Sequence, residues 1–323
     1  MGELTETRVP RPFQILALDG GGVKGLFSAA LLAAIEEDLG VRIADLFDLV
    51  VGTSTGGIIA LGIGAGIPPR RMVDLYASWA SRVFGGARRR SPRRILRTKF
   101  GSEGLRAALV EAFGDRELWQ SQVPLVIPAY DLTSDRVHLF KTPHHPRLRR
   151  DWHLSMVDVA MATSAAPTYL PASMIDQVRL VDGGVWANNP VLVAIAEAIS
   201  LFGVGLEDVR VLSLGTTSDL VHRHPRLDRG GLVQWATSAT PVILRGQSIG
   251  AQNTAFHLIG DRLVRIDEPV PANTLRLDRA DTRALVGRAA SVSRERMPEI
   301  EGFCHHTAVA LHAYHHPNQE PAA

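Results

Sequence analysis

Two strand–turn–helix units follow one another at the start of the chain, and both turns are rich in glycine. The first reads FQILAL, then DGGGVKG at residues 19–25. A stretch over residues 26–39 follows, with Leu31, Leu32, Ile35 and Leu39 on one face and Glu36, Glu37 and Asp38 polar. The second reads as an apolar run over residues 46–51, GTSTGG at residues 52–57, and a buried helix to about Gly66. Short, continuous apolar runs are the mark of strands buried on both faces. Gly40 is a natural stop for the first helix. Strands alternating with helices in this way build a parallel sheet with right-handed crossovers. The expected fold class is therefore α/β, a mainly parallel central sheet flanked by helices.

The rest of the chain continues the pattern. Helices are expected over residues 70–84, 102–113, 155–165 and 190–202, and strands over 125–130, 137–140 and 209–214. A strand near residues 263–266 and a helical tail from Asp281 complete it. With 323 residues, 46% apolar and 21% charged, the chain has ordinary globular composition. That excludes a largely disordered, collagen-like or coiled-coil chain. No linker or repeat divides it. We expect an N-terminal extension over residues 1–12 and one domain over 13–323, with a motif-bearing part at 13–215 and a helical C-terminal part at 231–317. Thirty-five Lys plus Arg against 33 Asp plus Glu leave a net charge of +2, too small for a whole-chain nucleic-acid binder. The one cysteine, Cys304, forms no internal disulfide and fits a reducing compartment. The first thirteen residues lack an apolar signal core.

Three glycine-rich turns are candidates for chemistry. Gly52-Thr53-Ser54-Thr55-Gly56 is a G-x-S-x-G at a strand-to-helix turn. Glycines let the backbone turn tightly and hold the serine out at a helix N-terminus, where developing negative charge is favoured. The bland alternative is a serine that only caps the helix. Gly20-Gly21-Gly22, with Lys24 and Gly25 behind them, expose bare backbone N–H groups suited to an oxyanion hole or a phosphate cradle. A dinucleotide site is disfavoured: Asp19 would repel a pyrophosphate, and Gly52 and Ser54 stand where the ribose-binding acid belongs. Asp182-Gly183-Gly184 is the third turn. Such an aspartate often bonds only its own backbone. A serine nucleophile needs a base, however, and no histidine lies in any of the three turns. An aspartate serves if burial raises its pKa from about 3.9 toward neutrality.

The ordered blocks DGGGVKG, GTSTGG, ATSAAPTYLP (residues 162–171) and DGGVWANNP (residues 182–190) resemble the patatin-like phospholipases. The resemblance implies a patatin-like three-layer fold and a lipid acyl hydrolase with a Ser–Asp dyad. Ser54 is then the nucleophile and Asp182 the base. The backbone amides of Gly20, Gly21 and Gly22 form the oxyanion hole, and Gly52, Gly56, Gly183 and Gly184 shape the turns. Residues 164–167 read as scaffold. The segment over residues 100–142 is similar to bacterial patatin-like enzymes of antiphage systems. That implies a phospholipase activated by a cyclic dinucleotide, cytoplasmic and peripherally attached to a phospholipid membrane. A homo-oligomer is left open, no DNA or RNA partner is expected, and the chemistry requires no metal or cofactor.

The remaining features carry less. His144-His145, His305-His306 and His315-His316 are adjacent pairs that share no helix face, so surface histidines are expected. Arg88, Arg89, Arg90, Arg93, Arg94, Arg97 and Lys99 form a basic run without an acid, read either as a solvated loop or as a contact for an anionic surface. Trp79, Val83 and Phe84 beside it fit core packing better than interfacial anchoring. Two other functions stay open. One is an α/β-hydrolase whose triad histidine is His222, His224 or His257. The other is a non-catalytic nucleotide-binding protein using the glycine loop.

Overall fold

The computed structural model describes residues 11–84, 98, 100–220, 225–231, 235, 238–271 and 282–317. An eight-stranded sheet runs through them. Its strands are β1 (Phe13–Leu18), β2 (Leu49–Gly52), β3 (Leu125–Asp131), β4 (Arg136–Lys141), β5 (Ser173–Ile175), β6 (Val178–Asp182), β7 (Val209–Leu214) and β9 (Leu263–Ile266), in the order β5-β6-β3-β2-β1-β7-β9 with β4 also on β3. Strands β3, β2, β1, β7 and β9 run parallel to one another, while β4 and β6 pair antiparallel with β3 and β5 pairs antiparallel with β6. A parallel pair of β8 (Ser218–Leu220) and β10 (Pro269–Pro271) stands apart.

The apolar runs explain the layers. Leu16 and Leu18 of β1 point into one core and Ile15 and Ala17 into the other, as the two-residue period of a strand requires. The first core is completed by helices α1 (Gly25–Leu39), α2 (Thr55–Gly64), α3 (Pro69–Phe84), α4 (Glu103–Phe113), α5 (Met156–Thr163) and α9 (Thr282–Cys304). The second core is filled by α7 (Val191–Leu201) and α8 (Ala239–Ile259). A one-turn helix, α6 (Gly184–Ala187), precedes α7. The result is three layers, a mainly parallel sheet between two sets of helices. As expected, α1 ends at Gly40, which takes a left-handed conformation at φ 64°.

Several expectations need correction. The second strand starts at Leu49 rather than residue 46, because Ile43–Asp45 form a 3-10 turn closed by Leu46. The C-terminal part is not simply helical: residues 305–317 form no helix, while β9 falls where a strand is expected, at residues 263–266, and joins the central sheet. Two of the expected surface histidines are buried. His144 bonds Glu197 on α7 at 3.0 Å, and His306 bonds Asp48 at 2.6 Å. Each partner is a buried carboxylate distant in sequence, which local patterning does not reveal. Trp79 is buried in the first core, while the side chains of Val83 and Phe84, the basic run, residues 1–10 of the expected 1–12 extension, His222 and His224 lie outside the described residues.

Candidate active site

The turn from β2 into α2 is as tight as its glycines suggest. A Cβ on Gly52 would sit 2.2 Å from the Gly56 carbonyl oxygen, and one on Gly56 would sit 2.4 Å from that of Leu18. Between them, Ser54 takes φ 55° and ψ −121°, a conformation that L residues other than glycine adopt only under strain. The strain is held by hydrogen bonds. Ser54 N–H donates to Thr163 Oγ1 at 2.9 Å, and Thr163 Oγ1 donates to the Pro128 carbonyl at 2.7 Å. Thr53 Oγ1 donates to the Ala187 carbonyl at 2.6 Å. The Ser54 side chain is thereby held at the N-terminus of α2, a fully buried helix.

Register brings Asp182 to the same place. Strand β2 pairs with β3 at Leu125 and Val126, and β6 pairs with β3 from Ala129 to Asp131. Since β4 covers β3 over Val126–Asp131 on its other edge, β2 and β6 share one edge. One is parallel and the other antiparallel, so their C-terminal ends run toward each other and stop on either side of Pro128. Proline has no N–H to offer a ladder there. Gly183 lets the chain leave β6 at this point, since a Cβ would lie 2.3 Å from the Pro128 oxygen. Asp182 is buried, and burial raises its pKa to about 6 against the opposing effects of the neighbouring Ser54 hydroxyl and the Gly184 amide. The Gly184 N–H donates to Asp182 Oδ1 at 2.7 Å.

The glycine loop closes the third side. A Cβ on Gly20 would be 3.2 Å from that of Ser54. The Gly20 N–H, however, is already donated to the Asn188 carbonyl at 3.0 Å, so Gly20 drops out as an oxyanion donor. The amides of Gly21 and Gly22 have no acceptor among the described residues. Gly22 has φ 59°, which favours glycine, and a Cβ on Gly21 would strike the Thr216 side chain. Lys24 is buried in the 3-10 turn that follows. Gly25 makes room for Thr55, whose hydroxyl pairs with that of Tyr76 at 2.7 Å. Asp19 faces Arg265, which donates to both its carboxylate oxygens, instead of facing the loop. Thr163, Asn188 and Arg265 are the site residues that sequence reading missed. Thr163 and Asn188 lie inside two of the four motif blocks, whereas Arg265 has no local signal.

Among the described residues no histidine hydrogen-bonds Ser54 or Asp182, and His257 is exposed on α8. No group of three or more His, Cys, Asp or Glu there is arranged to hold a metal ion. No helix there is long and apolar enough to cross a membrane.

A strained serine beside a buried carboxylate, on a three-layer α/β fold, fits the class of serine acyl hydrolases. Residues 16–195 match the family model of patatin-like phospholipases. The chain is 34% identical to a cGAMP-activated phospholipase of Pseudomonas aeruginosa, over 95% of this chain and 96% of that one. It is 31% identical to a cGAMP-activated phospholipase of Vibrio cholerae, over 92% and 93% of the two chains. It is 31% identical to patatin-like protein 2 of Arabidopsis thaliana, over 76% and 70%. The chain belongs to the patatin-like phospholipase family, and it is a hydrolase of lipid acyl esters.

Proposed function

We propose that Ser54 and Asp182 are the catalytic pair and that the amides of Gly21 and Gly22 bind the oxyanion. Ser54 Oγ attacks the acyl carbonyl of a membrane glycerophospholipid and its proton passes to Asp182. The negative charge on the carbonyl oxygen meets the two amides. Collapse returns the proton from Asp182 to the departing glycerol oxygen, leaving an acyl-enzyme. Asp182 then takes a proton from water, the hydroxide attacks the ester, and Ser54 leaves reprotonated with the fatty acid freed. The observation that carries this reading is the placement of Ser54, strained at the start of α2, beside a buried aspartate whose pKa burial pushes up to about 6. A base poised there is ionised at neutral pH yet basic enough to hold a proton. Support for a single catalytic domain over residues 13–323 comes from β9, which pairs with β7 at the edge of the sheet.

The near full-length similarity to cGAMP-activated phospholipases supports activation by a cyclic dinucleotide, and the setting we propose for it is antiviral defence. Such messengers act inside the cell, which supports a cytoplasmic enzyme that attacks the membrane peripherally. Lipid mass spectrometry of phospholipid vesicles tests the proposal, run with and without a panel of cyclic dinucleotides. Lysophospholipid and free fatty acid should accumulate with one member of the panel, and not with Ser54→Ala. Equal release by Ser54→Ala would overturn the nucleophile, and equal release with no dinucleotide would overturn the activation.

A further inference from the structure

The oxyanion loop is gripped from outside the motif blocks. Asp19, the residue just before Gly20, is buried, and Arg265 of β9 forks onto it with Nη1 to Oδ1 at 2.9 Å and Nη2 to Oδ2 at 2.7 Å. The same guanidinium donates to Ser213 Oγ at 2.8 Å and lies 3.4 Å from Asp267, so its plane is fixed on three sides. The Asp19 N–H donates to the Leu214 carbonyl at 3.0 Å. On the other flank, Asn188 accepts the Gly20 N–H, while its own N–H donates to Gln247 Oε1 at 2.8 Å and its side chain to Ser248 Oγ at 2.9 Å. Both grips therefore end on residues 247–265.

A buried ion pair adds little net stability, because desolvation offsets the attraction and an apolar pair would often hold the fold as well. What a planar fork adds is direction: two parallel hydrogen bonds fix the carboxylate in plane and in rotation. Oxyanion donors act through such fixed placement, since amides that must reorient during the reaction stabilise the charge less. We infer that Arg265 is a positioning residue that acts through Asp19 to set the Gly21 and Gly22 amides against the oxyanion. This rests on the assignment of those amides in the proposed function.

The test measures kcat and KM on a soluble p-nitrophenyl ester, per active site titrated to completion with a fluorophosphonate, alongside thermal unfolding. For Arg265→Gln, kcat per titrated site should fall about ten- to a hundredfold with KM changed less than about twofold, the pattern of misplaced donors. Arg265→Lys should recover part of the loss, because an ammonium supplies charge without the fork. A purely structural role would lower the melting temperature and the titratable fraction and leave kcat per site intact, and that result overturns the inference. Should Arg265→Gln not fold, Asp19→Asn carries the same test: a comparable loss supports positioning and an unchanged kcat refutes it. Ser54→Ala separates the two ideas. If it still hydrolyses the ester, the catalytic assignment has failed. If it is inactive while Arg265→Gln keeps its rate per site, only the positioning role has failed.

Discussion

A serine held at positive φ and an aspartate held out of water are both unfavourable for folding, and both sit at one point. The Asp182 pKa of about 6, against 3.8 for an ordinary aspartate, means that the folded state binds the proton more tightly than the unfolded chain. That contribution to stability is complete below about pH 4 and is lost as pH rises through about 6. Above it, the ionised carboxylate costs up to about 3 kcal/mol. Asp182→Asn should therefore be more stable than the parent at pH 7, by about 1–3 kcal/mol, and the gap should close below about pH 4. Denaturant unfolding of both proteins across pH measures this. The same ionisation sets the rate: kcat/KM on a soluble ester should climb with pH through about 6 and then level, because the base must be charged to accept the Ser54 proton. A flat profile from pH 4 to 8 would speak against Asp182 as the base.

The strands impose the meeting. Because β2 and β6 approach along one edge of β3 and stop at Pro128, the gap there is filled by the Thr163 hydroxyl, which links the Ser54 amide to the Pro128 carbonyl. Thr163→Val keeps the volume and leaves both buried groups unpaired, so it should cost about 1–3 kcal/mol in unfolding free energy. It should also lower kcat about tenfold by loosening the turn. Urea unfolding and ester kinetics read the two effects separately. At this scale much was legible in the sequence. FQILAL reads as a doubly buried strand because alternate residues enter two cores, and the glycines announce the turns because no Cβ fits there. The convergence at Pro128 was not legible, because it depends on register between strands tens of residues apart. Nor was the loss of Gly20 as a donor, which follows from a long-range bond to Asn188.

Across the whole molecule, the reactive end and the stapled end of the sheet are opposite. Ser54 and the glycine loop follow the C-terminal ends of β2 and β1. At the N-terminal ends, buried Asp48 accepts from Gln14 N–H at 2.9 Å and pairs with His306, tying the final segment across the strands. Leu311 and Tyr314 continue the tie with backbone bonds to Gln122 and Pro143. These partners lie too far apart in sequence for periodicity to suggest them. His306→Ala should lower stability by about 1–3 kcal/mol while leaving kcat per titrated site unchanged. Equal losses in both would show that the two ends are coupled. The convergence of Ser54 and Asp182 into one reactive pair is tested most directly by intact-mass measurement of fluorophosphonate labelling, paired with ester hydrolysis, on the parent, Ser54→Ala and Asp182→Asn. The expected result is one adduct on the parent, mapped to Ser54, none on Ser54→Ala, and labelling and hydrolysis slowed at least about a hundredfold in folded Asp182→Asn. Parent-like labelling and turnover in folded Asp182→Asn would contradict it.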